Sequence, residues 1–177
     1  MGLLQVIDAA FAAVPDPGNN LLEGCQCDEC RWSVSRFVGK NWRGLTLEDA
    51  ASDQQDAVIG NLSPAAFRFF LAGLMRLAIQ HEDEGDMIDF AIVNCLTDSD
   101  ASPKSIAGLA NVQNRLDLFD EGNRRAIVGF LDHLAESGPH VPEIMRSASR
   151  NVSTRVAKPY SSQIANEWLR VHYGYPG

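Results

Sequence analysis

The chain has 177 residues, of which 45% are hydrophobic and 21% charged, with a net charge of −8 and a pI of about 4.9. That length suits one domain able to bury a core without needing disulfides or metals, and the composition does not read as globally disordered. A protein this acidic repels nucleic-acid phosphates on average.

No apolar run reaches the roughly 18–20 residues of a membrane span. The N-terminus has no positive n-region, and Asp8 interrupts its apolar run, so it does not read as a secretory signal. Met1-Gly2 is followed by Gln5 and Val6, without the Ser or Thr of a myristoylation site at the sixth position. The expected location is the cytoplasm, with no membrane partner.

Leu3, Ile7, Ala10, Phe11 and Val14 lie on one face of a first helix, which Pro15 and the turn Asp16-Pro17-Gly18 end. Residues 15–24 read as loop. A second helix is expected from Asp28 to Val38, stopped by Gly39. Thr46 caps a third, alanine-rich surface helix reaching Ile59, with Asp49 as a weak capping box. Ser63-Pro64 is the strongest start signal, an N-cap followed by proline at the first helical position. Behind it Phe67, Phe70, Leu71, Leu74 and Ala78 form a stripe that Phe69, Met75, Leu77 and Ile79 broaden, as in a central helix.

Asp86 caps a helix directing Ile88, Ala91, Ile92, Cys95 and Leu96 inward. Ile106, Leu109, Ala110 and Leu116 mark the next. Asp120 caps one carrying Ile127, Phe130, Leu131 and Leu134, which Ser137-Gly138-Pro139 ends. Periodicity is weak over 139–158, and a last short helix is expected from Ser161 to His172. No strand pattern competes and no fixed-period repeat occurs. The expected fold is all-α, one domain of six to eight helices in an irregular bundle. Residues 1–138 form the helical domain, and 139–177 a basic extension packed on it. Residues 143–177 carry a net +3 from Arg146, Arg150, Arg155, Lys158 and Arg170 against Glu143 and Glu167, which leaves −11 on residues 1–142. Tail and body therefore attract each other.

Four segments in order, Cys27-Asp28-Glu29-Cys30, Gly39-Lys40-Asn41-Trp42, LSPAAFRFFLAGLM at 62–75 and RLDLFDEGNRRAIVGFLDHL at 115–134, resemble an uncharacterised bacterial family, a domain of unknown function. Its members carry a cysteine pair after a Pro-rich loop, a Trp segment, an LSPEAFRYYLPA-like helix and a terminal R…F…FL helix. The resemblance spans about residues 8–136 and departs at Ala72-Gly73, where Leu-Pro-like residues are expected. It implies a helical fold and no particular reaction.

The chemically distinctive cluster is Cys25-x-Cys27-x-x-Cys30. Close cysteines in a reducing compartment point to metal or redox work before a structural disulfide. With a helix starting near Asp28, Cys27 and Cys30 sit one turn apart at its N-terminus, where the helix dipole favours thiolates. Asp28 and Glu29 work against this. Three readings stand: a structural zinc held by Cys25, Cys27 and Cys30, a redox pair, or inert thiols. Zinc needs a fourth ligand, and His140 in the Gly138-Pro139 loop, another His, Cys95 or a carboxylate are the candidates. Cys95, on an apolar helical face, reads as a buried small residue.

Other motifs fail on inspection. His81-Glu82 begins a zincin motif whose second His is replaced by Gly85. Asp98-x-Asp100 begins a calcium loop in which Pro103 and Leu109 occupy the required Gly and Glu positions. No nucleophile elbow, phosphate-binding loop or dinucleotide turn occurs. His133 reads as a boundary residue, and Trp32, Trp42 and Trp168 as core anchors. Arg146 to Lys158 could touch an acidic partner or nucleic acid. The sequence names no catalytic residue. Its leading reading is a non-catalytic interaction domain that binds a basic protein partner, as immunity proteins do by charge complementarity. The alternatives are a metal or thiol enzyme at the cysteines and a regulator that contacts nucleic acid through its tail.

Overall fold

The structure, a computed structural model, describes residues 2–22, 27–50, 59–81, 86–97, 105–137 and 142–155, with the backbone alone at 29, 86–87, 105–111, 137 and 142–144. The fold is all-α. Eight α-helices and one 3-10 turn run through the described residues, which contain no strand beyond a single antiparallel bridge between Leu22 and Leu62. No helix among them is long and apolar enough to cross a membrane.

Helix α1 (Leu3–Phe11) buries Ile7 and Phe11, with Leu3, Val6 and Ala10 half-buried beside them. Helix α2 (Asp28–Ser35) takes Cys27 as its N-cap and stops three residues short of Val38. Residues 36–39 instead wind through turns, Phe37 N–H to Val34 and Val38 N–H to Ser35, until Gly39 reverses the chain at φ 69°. A left-handed φ is strained for any residue with a Cβ, so glycine is the natural stop. A 3-10 turn (Trp42–Gly44) and helix α3 (Leu47–Ala50) follow. Thr46 and Asp49 form a complete capping box: the Asp49 N–H donates to the Thr46 hydroxyl at 3.4 Å, and the Thr46 N–H to the Asp49 carboxylate at 3.1 Å. The expected run on to Ile59 lies, after Ala50, outside the described residues.

Helix α4 (Pro64–Gln80) is central: eleven of its seventeen residues are buried, and it packs against α1, the 3-10 turn and both helices that follow it. The Ser63 hydroxyl accepts the Ala66 N–H at 3.2 Å, a cap that contributes about 1 kcal/mol. The two arginines that interrupt its apolar surface are both used. Arg76 Nη1 donates to both Asp8 oxygens, at 2.7 and 2.8 Å, fixing α1. Arg68 reaches Asn123 at 2.9 Å and Asp120 at 3.1 Å.

Helices α5 (Asp86–Leu96) and α6 (Ser105–Leu118) pack on α4. Helix α7 (Glu121–Ser137) starts where Asp120 accepts the Asn123 N–H at 2.8 Å, and it buries Ala126, Ile127, Phe130, Leu131 and Leu134. Asn123 is fully buried and satisfied. Its amide donates to the Ala10 carbonyl at 2.7 Å while its oxygen accepts from Arg68, so one side chain joins α1, α4 and α7.

Helix α8 (Pro142–Thr154) falls in the stretch expected to show little periodicity, yet it is strongly amphipathic. It lies along α7 and against α5, burying Met145, Ala148 and Val152. Its inner face also carries Ser147 and Asn151, both buried, and such polar positions hide a stripe from a hydrophobicity count. Asn151 is satisfied by the Leu96 carbonyl at 3.1 Å. The helix expected at 161–172 lies outside the described residues.

Candidate functional site

A concavity opens where α4 begins. The 20–22 loop is held to 62–63 by the Leu22–Leu62 bridge, by the Ser63 N–H on the Leu21 carbonyl at 2.8 Å and by the Ser63 hydroxyl on the Asn20 carbonyl at 2.7 Å. The last turn of α6 forms the opposite wall. Between them is a cleft of about 440 Å³, lined by Asn20, Leu22, Ser63, Pro64, Ala65, Asn114, Asp117 and Leu118. Asp117 is the one charged lining residue among the described residues, and its carboxylate accepts from the Gln113 amide at 2.7 Å. Leu118 is 38% exposed, large for an aliphatic side chain on a helix that faces the core.

Polarity at this site follows from the helix ends. Pro64 has no N–H, and Ser63 occupies those of Ala66 and Phe67, so the start of α4 offers little to an anion. The opposite wall is the C-terminal turn of α6, the negative end of its dipole, reinforced by Asp117.

Arg115 underpins the wall. It is 7% exposed and lies with its guanidinium 4.9 Å above the Phe67 ring. It donates to the carbonyls of Gly60 at 2.7 Å, Leu62 at 3.3 Å and Cys95 at 3.5 Å. None of the four ion pairs among the described residues includes it. One buried cation thus ties the approach to α4, the end of α5 and α6 together through neutral acceptors.

None of the described residues singled out as candidate ligands lines this cleft. Cys27 is exposed and Cys30 half-buried, one turn apart at the start of α2, as the spacing requires. Cys25 and His140 lie outside the described residues. Among the described residues no group of three or more His, Cys, Asp or Glu is arranged to hold a metal ion. Cys95 is buried on α5. Trp42 is a core anchor, 2% exposed, but Trp32 is not: it stands 57% exposed on the outer side of α2. The short α2 turns Ser33 and Val34 inward, and the Arg36 guanidinium lies 5.1 Å from the Trp32 ring.

Sequence reasoning passed over Asn20, Asn114, Asp117 and Leu118. Leu118 did carry a signal: it stands two residues after Leu116, and a helical stripe cannot bury both. Compared with known proteins, the chain matches no family model, no curated protein and no solved structure.

Proposed function

We propose that this chain is a non-catalytic protein-interaction domain whose cleft at the start of α4 receives a basic side chain of a protein partner. The lining of that cleft carries the reading. A single carboxylate, Asp117, stands among neutral hydrogen-bonding groups from Asn20, Ser63 and Asn114, with Leu22, Pro64, Ala65 and Leu118 beside them. A lysine or arginine matches this pattern, since its aliphatic stem covers apolar surface while its head meets the acid. The net charge of −8 would steer a basic partner toward the domain, as it does in immunity-like complexes, an analogy of charge only. The test is fluorescence anisotropy of a labelled peptide of alternating lysine and leucine. Asp117→Lys should weaken its binding about tenfold or more, whereas Asp132→Lys, an equal change of charge at an exposed position on α7, should not. Equal losses in both variants would reduce the effect to net charge and end this reading.

A second reading has its own observation. Cys27 caps α2 and Cys30 follows one turn later, the bite of a chelating thiolate pair, with Cys25 two residues upstream in the sequence. A structural zinc at Cys25, Cys27 and Cys30 would stitch the loop before α2 to its first turn. Zinc per chain, measured on protein purified without a metal-binding tag, decides this: about one is expected for such a site, and none removes it.

A further inference from the structure

The side-chain amide of Gln113 ties the acid of the cleft to the end of α8. It donates to the Asp117 carboxylate at 2.7 Å and to the Arg155 carbonyl at 2.9 Å. Two bonds of that length through one nitrogen put the Arg155 carbonyl within about 6 Å of the Asp117 oxygen. Arg155 is also the one described residue other than glycine with a left-handed backbone, at φ 57°. A left-handed residue just past a helix takes the chain off the helix axis, so α8 releases the chain beside the cleft. The exposed Arg155 side chain acts on Glu121 at the start of α7, whose carboxyl is held below its ordinary value chiefly by Arg124 and to a smaller extent by Arg155. The next cation is Lys158, in the run Val156-Ala157-Lys158-Pro159-Tyr160. Residues 156–177 lie outside the described residues, yet chain length bounds what Lys158 can reach. Three residues span at most about 10–11 Å, and the flexible stem of lysine extends that range, so its ammonium can meet Asp117.

We propose that Lys158 of this same chain occupies the cleft when no partner is bound, its ammonium on Asp117 and the side-chain carbonyls of Asn20 and Asn114, and that a basic partner must displace it. This occupancy rests on the cleft being a site for a basic side chain, and it adds a competitor built into the chain. Charge favours the fold-back, since residues 1–142 carry −11. Apolar surface favours it as well: Tyr160, two residues on, comes within reach of Leu118, which is 38% exposed in the cleft wall. Tethering sets the strength of the competition. A residue joined to the rim by so short a linker is present at about millimolar local concentration, enough to oppose a single free side chain but not a partner that adds further contacts.

The experiment is zero-length carbodiimide coupling of the full chain at low concentration, with the joined peptides identified by mass spectrometry. Beside it, the labelled lysine–leucine peptide is titrated against the parent, Lys158→Gln and Arg146→Gln. The chain has three lysines, Lys40, Lys104 and Lys158, so each link is assignable. A Lys158–Asp117 link within one chain is expected. The peptide should bind about three- to tenfold more tightly to Lys158→Gln, and with parent affinity to Arg146→Gln, an equal change of charge at an exposed position on α8. Adding Asp117→Lys to Lys158→Gln should abolish the gain. Three results would overturn the proposal: Lys158 coupled chiefly to acids other than Asp117, equal peptide affinity in the parent and Lys158→Gln, or a Lys158–Asp117 link found only between two chains, which would make the occupant a second copy. All three leave the cleft as a partner site as long as Asp117→Lys still loses the peptide. Conversely, the intrachain link with no peptide bound by any variant upholds the occupancy and ends the reading of the cleft as a partner site.

Discussion

The backbone carbonyl of Trp42 lies directly against Gly73, so close that a Cβ at position 73 would overlap it, and the Leu45 side chain would be only 2.9 Å from the same point. Glycine in mid-helix costs about 1 kcal/mol relative to alanine, and here that cost is what lets the 3-10 turn rest on α4. Gly73→Ala should therefore destabilise the protein, by about 1–3 kcal/mol, despite the better helix propensity of alanine. Chemical denaturation reads this out directly, and a midpoint equal to or above the parent's would show that the turn moves aside without cost.

Leu71 on α4 and Leu131 on α7 are both fully buried. Each truncation to alanine should cost about 2–5 kcal/mol, the lost transfer energy plus the cavity. The two sites sit in different helices, so an unchanged midpoint in either variant would place that stripe against something softer than a packed core.

Arg115→Lys should destabilise by about 1–3 kcal/mol, because a point charge cannot reproduce the fork that spans the Gly60 and Leu62 carbonyls. It should also weaken peptide binding in the cleft more than the stability loss alone requires, since Arg115 sets the position of the α6 wall. Stability and affinity that both match the parent would show that the fork is dispensable.

The Asp49 carboxyl is pushed up by burial, yet the Lys40 ammonium at 2.5 Å and the bonds to Thr46 outweigh this and hold it below its ordinary 3.8. A depressed carboxyl contributes stability that is present above its unfolded value and lost as pH falls through the folded one. Acid unfolding should accordingly steepen below about pH 4, and Asp49→Asn should remove part of that slope while changing little near neutrality beyond the loss of the pair. Identical acid curves for both proteins would mean that Asp49 titrates alike folded and unfolded.

The helices of this fold were readable where local chemistry and burial coincide. Ser63-Pro64 and Asp120 cap as their types suggest, and the Phe67–Ala78 stripe is apolar enough to identify a central helix without knowing its neighbours. Helix α8 has a clear amphipathic pattern but a low mean hydropathy, since its inner face includes Ser147 and Asn151, and Asn151 becomes an interior residue only once the Leu96 carbonyl is in place. Trp32 misled for the opposite reason: its size suggests a core, but α2 is too short to cover it. The cleft was hidden because one wall joins Asn20 to Ser63, 43 residues apart in sequence, and the other is supplied by α6. The Cys27–Cys30 spacing was legible as a helix-start pair, whereas the buried cation at 115 depends on carbonyls from two separate segments, 60–62 and the end of α5.

Asn123 has a consequence for the order in which the chain assembles. Its bond to the Ala10 carbonyl closes a span of 113 residues, whereas the neighbouring contacts of α7 with α8 and of α5 with α6 are local. Closing a long span early loses chain entropy that only a later set of contacts returns, so the N-terminal helix should dock after the C-terminal helices have met. Mutations at Ile7 or Ala10 should then accelerate unfolding and leave the refolding rate nearly unchanged, while those at Phe130 or Leu131 slow refolding. The asparagine would act as a late latch, and the amides of α1 should be among the first helical amides to exchange with solvent while the rest of the bundle stays closed.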